Sequence, residues 1–154
     1  MKIIFLDIDG VLTSLRTCTA LDGGGMWNEF DPVGVAIIKR LCENHNYEIV
    51  ISSTWRRGNA ERLHTQLEKH DLKKFLHKDW KTDLLNTNRG AEIQKWLNEH
   101  PDTEYLIFDD DSDFTDEQRR FHIHTDSMNG ITDANIMDIT KRLNGNTNII
   151  TIRI

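Results

Sequence analysis

The chain predicts an α/β fold, a mainly parallel sheet covered on both faces by helices, and three observations carry that reading. Short β-branched and aromatic runs alternate with amphipathic helical stretches, as strand–helix–strand crossovers require. Several of those runs end in glycine, serine or aspartate, the residues that turn a chain at a sheet edge. No linker, low-complexity tract or internal repeat divides the 154 residues, so 1–154 reads as one domain.

The elements follow in order. Ile3 to Ile8 is a buried central strand that Gly10 ends. Leu15 to Ala20 and Met26 to Phe30 flank Leu21-Asp22-Gly23-Gly24-Gly25, and the glycine cluster predicts a β-hairpin flap over about 13–30. Asp31-Pro32 opens a helix, with Asp31 as N-cap and Val33, Ile37, Ile38 and Leu41 as its apolar stripe to about His45. Tyr47 to Ser52 is a strand, and Gly58 to His70 is helical with Leu63 and Leu67 facing inward. Between Leu72 and Leu85 only a short strand near Phe75 to His77 is expected. Arg89 to Glu99 is a helix with Ile93, Trp96 and Leu97 inward, and Pro101 follows its end. Tyr105 to Phe108 and Phe121 to His124 are strands, Thr132 to Leu143 a helix, and Asn148 to Ile152 a last strand.

Composition narrows the function. The net charge of -6 lacks the cationic excess that coating a nucleic acid demands, although a local basic pocket is compatible with it. Cys18 and Cys42 form neither a disulfide framework nor a zinc set, which suits packing residues in a reducing cytoplasm. No apolar run approaches the roughly 18 residues that span a bilayer, so no membrane partner is expected. Asp7 and Asp9 interrupt the apolar N-terminus, which therefore does not read as a signal peptide.

Acids at strand ends carry the chemistry. Asp7-Ile8-Asp9-Gly10 closes the first strand, and a parallel sheet binds ligands at the carboxyl ends of its strands. A hundred residues on, Phe108-Asp109-Asp110-Asp111-Ser112-Asp113 closes another apolar run. So many carboxylates repel one another unless a cation sits among them, and oxygens from two neighbouring strands suit an octahedral Mg2+. Between the two lies Ser52-Ser53-Thr54-Trp55-Arg56-Arg57, whose hydroxyls, backbone amides and arginines make a phosphate cradle or, on the plainer reading, a helix cap with surface arginines. His122-Ile123-His124 puts two imidazoles on one strand face, with no third ligand at zinc spacing. Trp27 and Phe30 sit on the expected flap, where an exposed ring could hold a nucleobase or exclude water.

The order of these motifs resembles the haloacid dehalogenase (HAD) superfamily of phosphatases: Asp7-Ile8-Asp9-Gly10-Val11-Leu12, a strand ending in serine, a basic residue opening a helix, and a strand ending in paired aspartates. Ser53-Thr54-Trp55-Arg56, the Arg89 to Leu97 helix and Ile107 to Asp111 look, more narrowly, like small stand-alone members related to the phosphatase domains of RNA-repair and polynucleotide-end-healing proteins. The resemblance implies a Rossmann-like three-layer α/β/α sandwich with the hairpin flap and no large cap domain. It also implies Asp7 as nucleophile, Asp9 as general acid and base, and Mg2+ held by Asp7, Asp9 and Asp110. Asp109 would orient the basic residue or share the metal, with Asp113 farther out. Ser53 would bind phosphate, with Ser52 its rival and Gly10, Thr54, Arg56 and Trp27 lining the substrate. Arg89 stands where related proteins carry a lysine, with Lys78, Lys81 and Lys95 as alternatives.

The expected activity is Mg2+-dependent hydrolysis of a phosphomonoester through an aspartyl-phosphate. Its phosphorylated substrate could be a nucleotide or a polynucleotide end, and a narrower reading is a 3'-phosphatase acting on DNA or RNA. From another class comes a catalytically weak module that binds a phosphorylated ligand, and from a third a structural acidic protein without metal. The intact Asp7 and Asp9 pair counts against the binding module, and a structural protein without metal would show no Mg2+-induced stabilisation on melting.

Overall fold

The computed structural model describes residues 1–21, 28–85 and 88–143. Its five strands are β1 (Lys2–Leu6), β2 (Glu48–Ile51), β3 (Leu76–Lys81), β4 (Glu104–Asp109) and β5 (His122–His124), arranged β3-β2-β1-β4-β5 with every pairing parallel. The α-helices are α1 (Leu15–Leu21), α2 (Pro32–His45), α3 (Glu61–Lys69), α4 (Arg89–Glu99), α5 (Asp116–Arg119) and α6 (Asp133–Leu143).

Strand alternation splits the core in two. Ile4, Leu6, Ile49, Ile51 and Phe108 face α2 and α3, with Ile139 of α6 on the same side. Ile3, Phe5, Val50 and Ile107 face Ile93 and Trp96 of α4 and Phe114. Three layers result, with β1 buried on both faces, and this is the Rossmann-like sandwich expected. Its near-continuous apolar sequence follows from that double burial. Cys18 and Cys42 are buried, unpaired thiols, and burial pushes the Cys42 thiol up to about 12. Among the described residues no helix is long and apolar enough to cross a membrane.

Helix α2 begins as expected: Asp31 accepts a hydrogen bond from the Val33 amide at 2.9 Å, and Asn46 closes the helix in the left-handed region. The flap reading needs correction. Leu15–Leu21 is a helix, so the first arm of the expected hairpin does not form a strand. Ser14 accepts from the Thr17 amide at 3.2 Å, a capping bond that outcompetes the weak strand preference of Thr17 and Thr19. The glycine cluster and Trp27 lie outside the described residues, as does the strand expected at 148–152. Phe30 is buried, 5.4 Å from the stacked His70 ring and 5.9 Å from Trp55, so it is a core residue and not an exposed flap ring. Strand β3 runs on to Lys81, and helix α5, which apolar periodicity does not reveal, is a single turn closed by a Thr115–Gln118 capping box.

Candidate active site

The site forms where the chain reverses its direction across the sheet. From β1 the chain moves outward to β2 and β3, then returns through α4 to β4 on the other side of β1. The carboxyl ends of β1 and β4 therefore flank the switch point at which open α/β sheets bind ligands. Leu6 pairs with Phe108, and the Asp7 amide donates to the Phe108 carbonyl at 3.0 Å, so Asp7 and Asp109 emerge side by side.

Arg89 joins them. Its Nη1 lies 3.1 Å from Asp7 Oδ2 and 2.6 Å from Asp109 Oδ2. Burial alone would lower its pKa, but the two aspartates outweigh that and hold it above its ordinary value. The first turn of α4 places it there: Asn88 caps the Ala91 amide, and Asp113 accepts from the Arg89 amide at 3.0 Å. Asp113 is thus tied to the helix start. Gly90 is needed at this approach, because a Cβ there would stand 2.7 Å from Gln118 Oε1 and 2.9 Å from the Asp113 carbonyl. The rival lysines are elsewhere: Lys95 pairs with Asp83, Lys81 lies 5.1 Å over the Trp80 ring, and Lys78 is exposed beside them.

Asp109 is fully buried, with Oδ1 accepting from the Asp111 amide and Oδ2 facing Arg89. Burial first, and Asp7 second, push its pKa up to about 8. Asp110 is more open, and the same two causes raise its pKa. One arginine does not neutralise this group. Asp7, Asp109 and Asp110 bring carboxylate oxygens within 4.8 Å of one another, a hard-oxygen set suited to a divalent cation. Gly10 makes room for it. At φ +75°, with no Cβ, it admits the Asp110 carboxylate carbon to within 2.3 Å of where a Cβ would stand.

Asp9 is anchored apart from that group, so its side chain does not join the three-carboxylate set. Thr13 Oγ1 donates to its Oδ1 and Trp55 Nε1 to its Oδ2, both at 2.9 Å. Arg62 stacks on Trp55, its guanidinium carbon 3.5 Å from the ring centroid.

The serine loop divides its roles. Ser53 accepts from the Trp55 amide at 3.4 Å, capping the 3-10 turn Thr54–Arg56, and Thr54 is exposed. Ser52 continues β2 beside Asp7, its amide donating to the Leu6 carbonyl, and its buried Oγ has no hydrogen-bond partner among the described residues. Arg56 departs from the expected substrate role. It is buried and donates to the carbonyls of Ser52, Ser53, Thr82 and Asp83 and to Glu92 Oε2 at 2.6 Å, so it clamps the loop from beneath. Burial, and Arg89 nearby, lower its pKa against the pull of Glu92.

Sequence reasoning did not find this clamp, the Trp55–Asp9 bond or the support behind the acids. His122 Nε2 lies 2.9 Å from the Asp109 carbonyl and His124 Nε2 2.9 Å from that of Asp110. Their alternation was the available signal, and the two rings do share a face, with centroids 5.3 Å apart. A second group that brings possible metal ligands together, His77, Asp79 and His100, is internally engaged: His77 Nδ1 accepts from the Asp79 amide, and His100 bridges Asp79 and the Trp96 carbonyl.

A parallel α/β/α sandwich with Asp-x-Asp after its central strand and paired aspartates after the neighbouring one is the architecture of the HAD superfamily. The family model described as the HAD domain in Swiss Army Knife RNA repair proteins matches residues 3–136, and the chain belongs to that family. No curated protein and no solved structure matches it significantly. Membership brings a phosphatase-like function, and HAD domains generally use a divalent metal, for which the three carboxylates are the candidate ligands.

Proposed function

We propose that the protein is a Mg2+-dependent phosphomonoesterase working through an aspartyl-phosphate on Asp7. The observation that carries this is Asp7 beside Arg89, Asp109 and Asp110 at the switch point, with Asp9 two residues on. Asp7, Asp110 and Asp109 would hold the metal, which supplies positive charge to shield carboxylate from phosphate.

The steps fall to the chain's own residues. An Asp7 oxygen attacks phosphorus, the bond to the leaving oxygen breaks, and that oxygen takes a proton from Asp9. Water, giving its proton to the Asp9 carboxylate, then attacks the same phosphorus and frees Asp7. Arg89 orients Asp7 and faces the phosphoryl oxygens. The Ser52 hydroxyl, beside Asp7 and without a partner among the described residues, is better suited to donate to phosphate than Ser53, whose oxygen caps a turn.

A narrower reading makes the substrate a phosphate at an RNA end, and the family's description, a domain of RNA repair proteins, favours it. The test is a Mg2+-dependent screen over nucleotides, sugar phosphates and phosphate-ended oligonucleotides. Wild type should release phosphate and Asp7→Asn should not; a variant retaining full turnover on every hit removes Asp7 as nucleophile.

A further inference from the structure

We infer that Trp55 is the positioning residue of the phosphatase reaction, aiming Asp9 at the leaving-group oxygen; this rests on the function proposed above. Three observations lead there. Trp55 Nε1 donates to Asp9 Oδ2 at 2.9 Å, across 46 residues of sequence, while Thr13 holds the other oxygen, so both carboxylate oxygens are fixed from opposite elements. The indole is itself immobilised: Arg62 lies on one face, Phe30 packs 5.9 Å away, and its amide is tied to Ser53. The serine loop beneath it is clamped by buried Arg56. A buried indole N–H needs an acceptor whatever its role, and the one it has here is the carboxylate two residues from the nucleophile, not a backbone carbonyl.

Asp9 serves both halves of the reaction, and kcat/KM reads the first, the departure of the leaving group. A carboxyl group that must reach a leaving oxygen works only within a narrow range of orientation. Freed from the indole, Asp9 would rotate about its side-chain bonds, and the loss would fall on substrates whose leaving group cannot depart unprotonated. An activated aryl phosphate, whose phenolate leaves without a proton, would hardly notice.

The experiment compares kcat/KM of wild type, Trp55→Phe and Thr13→Val on an aryl phosphate and on an alkyl phosphate such as a nucleoside monophosphate. Trp55→Phe keeps an aromatic side chain, smaller than the indole, and removes the donor; a thermal melt establishes that it is folded, and Thr13→Val reports on the second anchor without touching the core aromatic. The expected result is a loss of about 10- to 100-fold on the alkyl phosphate against less than about threefold on the aryl phosphate. Equal losses on both substrates, or none on either, overturn the inference while leaving the phosphatase reading intact. A wild type that hydrolyses neither these two substrates nor a phosphate-ended oligonucleotide overturns both.

Discussion

Asp109 is the residue whose environment most constrains the site. Its pKa is raised from 3.8 to about 8, first by burial and then by Asp7, with Arg89 opposing. A carboxyl held above its unfolded value favours the fold only while protonated; that contribution is whole below about pH 4 and is lost as pH climbs through about 8. The metal-free protein should therefore melt at a lower temperature at pH 8 than at pH 5, and Asp109→Asn should flatten that dependence; an unchanged slope in the variant would show that the strain lies elsewhere. At this scale the sequence showed acids gathered at two strand ends, while the choice of Asp110 within its run and of Arg89 at a helix start came from the resemblance to HAD phosphatases. Arg56 was not legible. An arginine beside serines looks the same in sequence whether it points to solvent or inward, and only the carbonyls of Thr82 and Asp83, some 26 and 27 residues away, decide it.

Helix α4 joins the catalytic edge to the scaffold. Its first residue meets Asp7, and one turn later Glu92 pairs with Arg56 and accepts from the Leu85 amide. Both side chains of that pair are almost fully buried, so removing one leaves a charge without water or partner. Glu92→Ala should cost about 3–5 kcal/mol in urea unfolding, and Glu92→Gln distinctly less, because the amide still accepts from Arg56. Helix α2 was readable from its Asp31 cap and apolar spacing, and α4 from apolar spacing and the proline beyond its end. Helix α1 was not, although Ser14 three residues before Thr17 is a capping signal; the glycine cluster beyond it drew attention to a turn. Helix α5 offers four residues, too few for any period, and only its Thr115–Gln118 box announces it.

For the molecule as a whole, folding and ligand binding are linked because the three carboxylates meet only in the native sheet. A divalent cation that binds them should raise the melting temperature, by about 2.7 kcal/mol of stability at a hundredfold excess over Kd. Asp110→Asn should abolish most of that Mg2+-dependent rise, as a thermal melt titrated with MgCl2 would show; an undiminished rise would move the metal elsewhere. The parallel sheet was readable from the alternation of strands and helices, and β1 and β4 from apolar runs that lead into acids; the strand order was not. What supports the site was only partly so: alternation put the two imidazoles on one face without saying what they meet, and the bond from the Trp55 indole to Asp9, 46 residues away, has no sequence signal.

Strand β5, at the border of the sheet, has three residues, and both of its imidazoles reach the acidic loop. Side chains on a strand change faces with every residue, so a slip of one position would swing both rings to the opposite side. The shortest ribbon of the fold thus acts as a ratchet pawl for the reaction centre: its register, set on the outermost edge, fixes where the backbone of Asp109 and Asp110 stands at the end of the neighbouring strand.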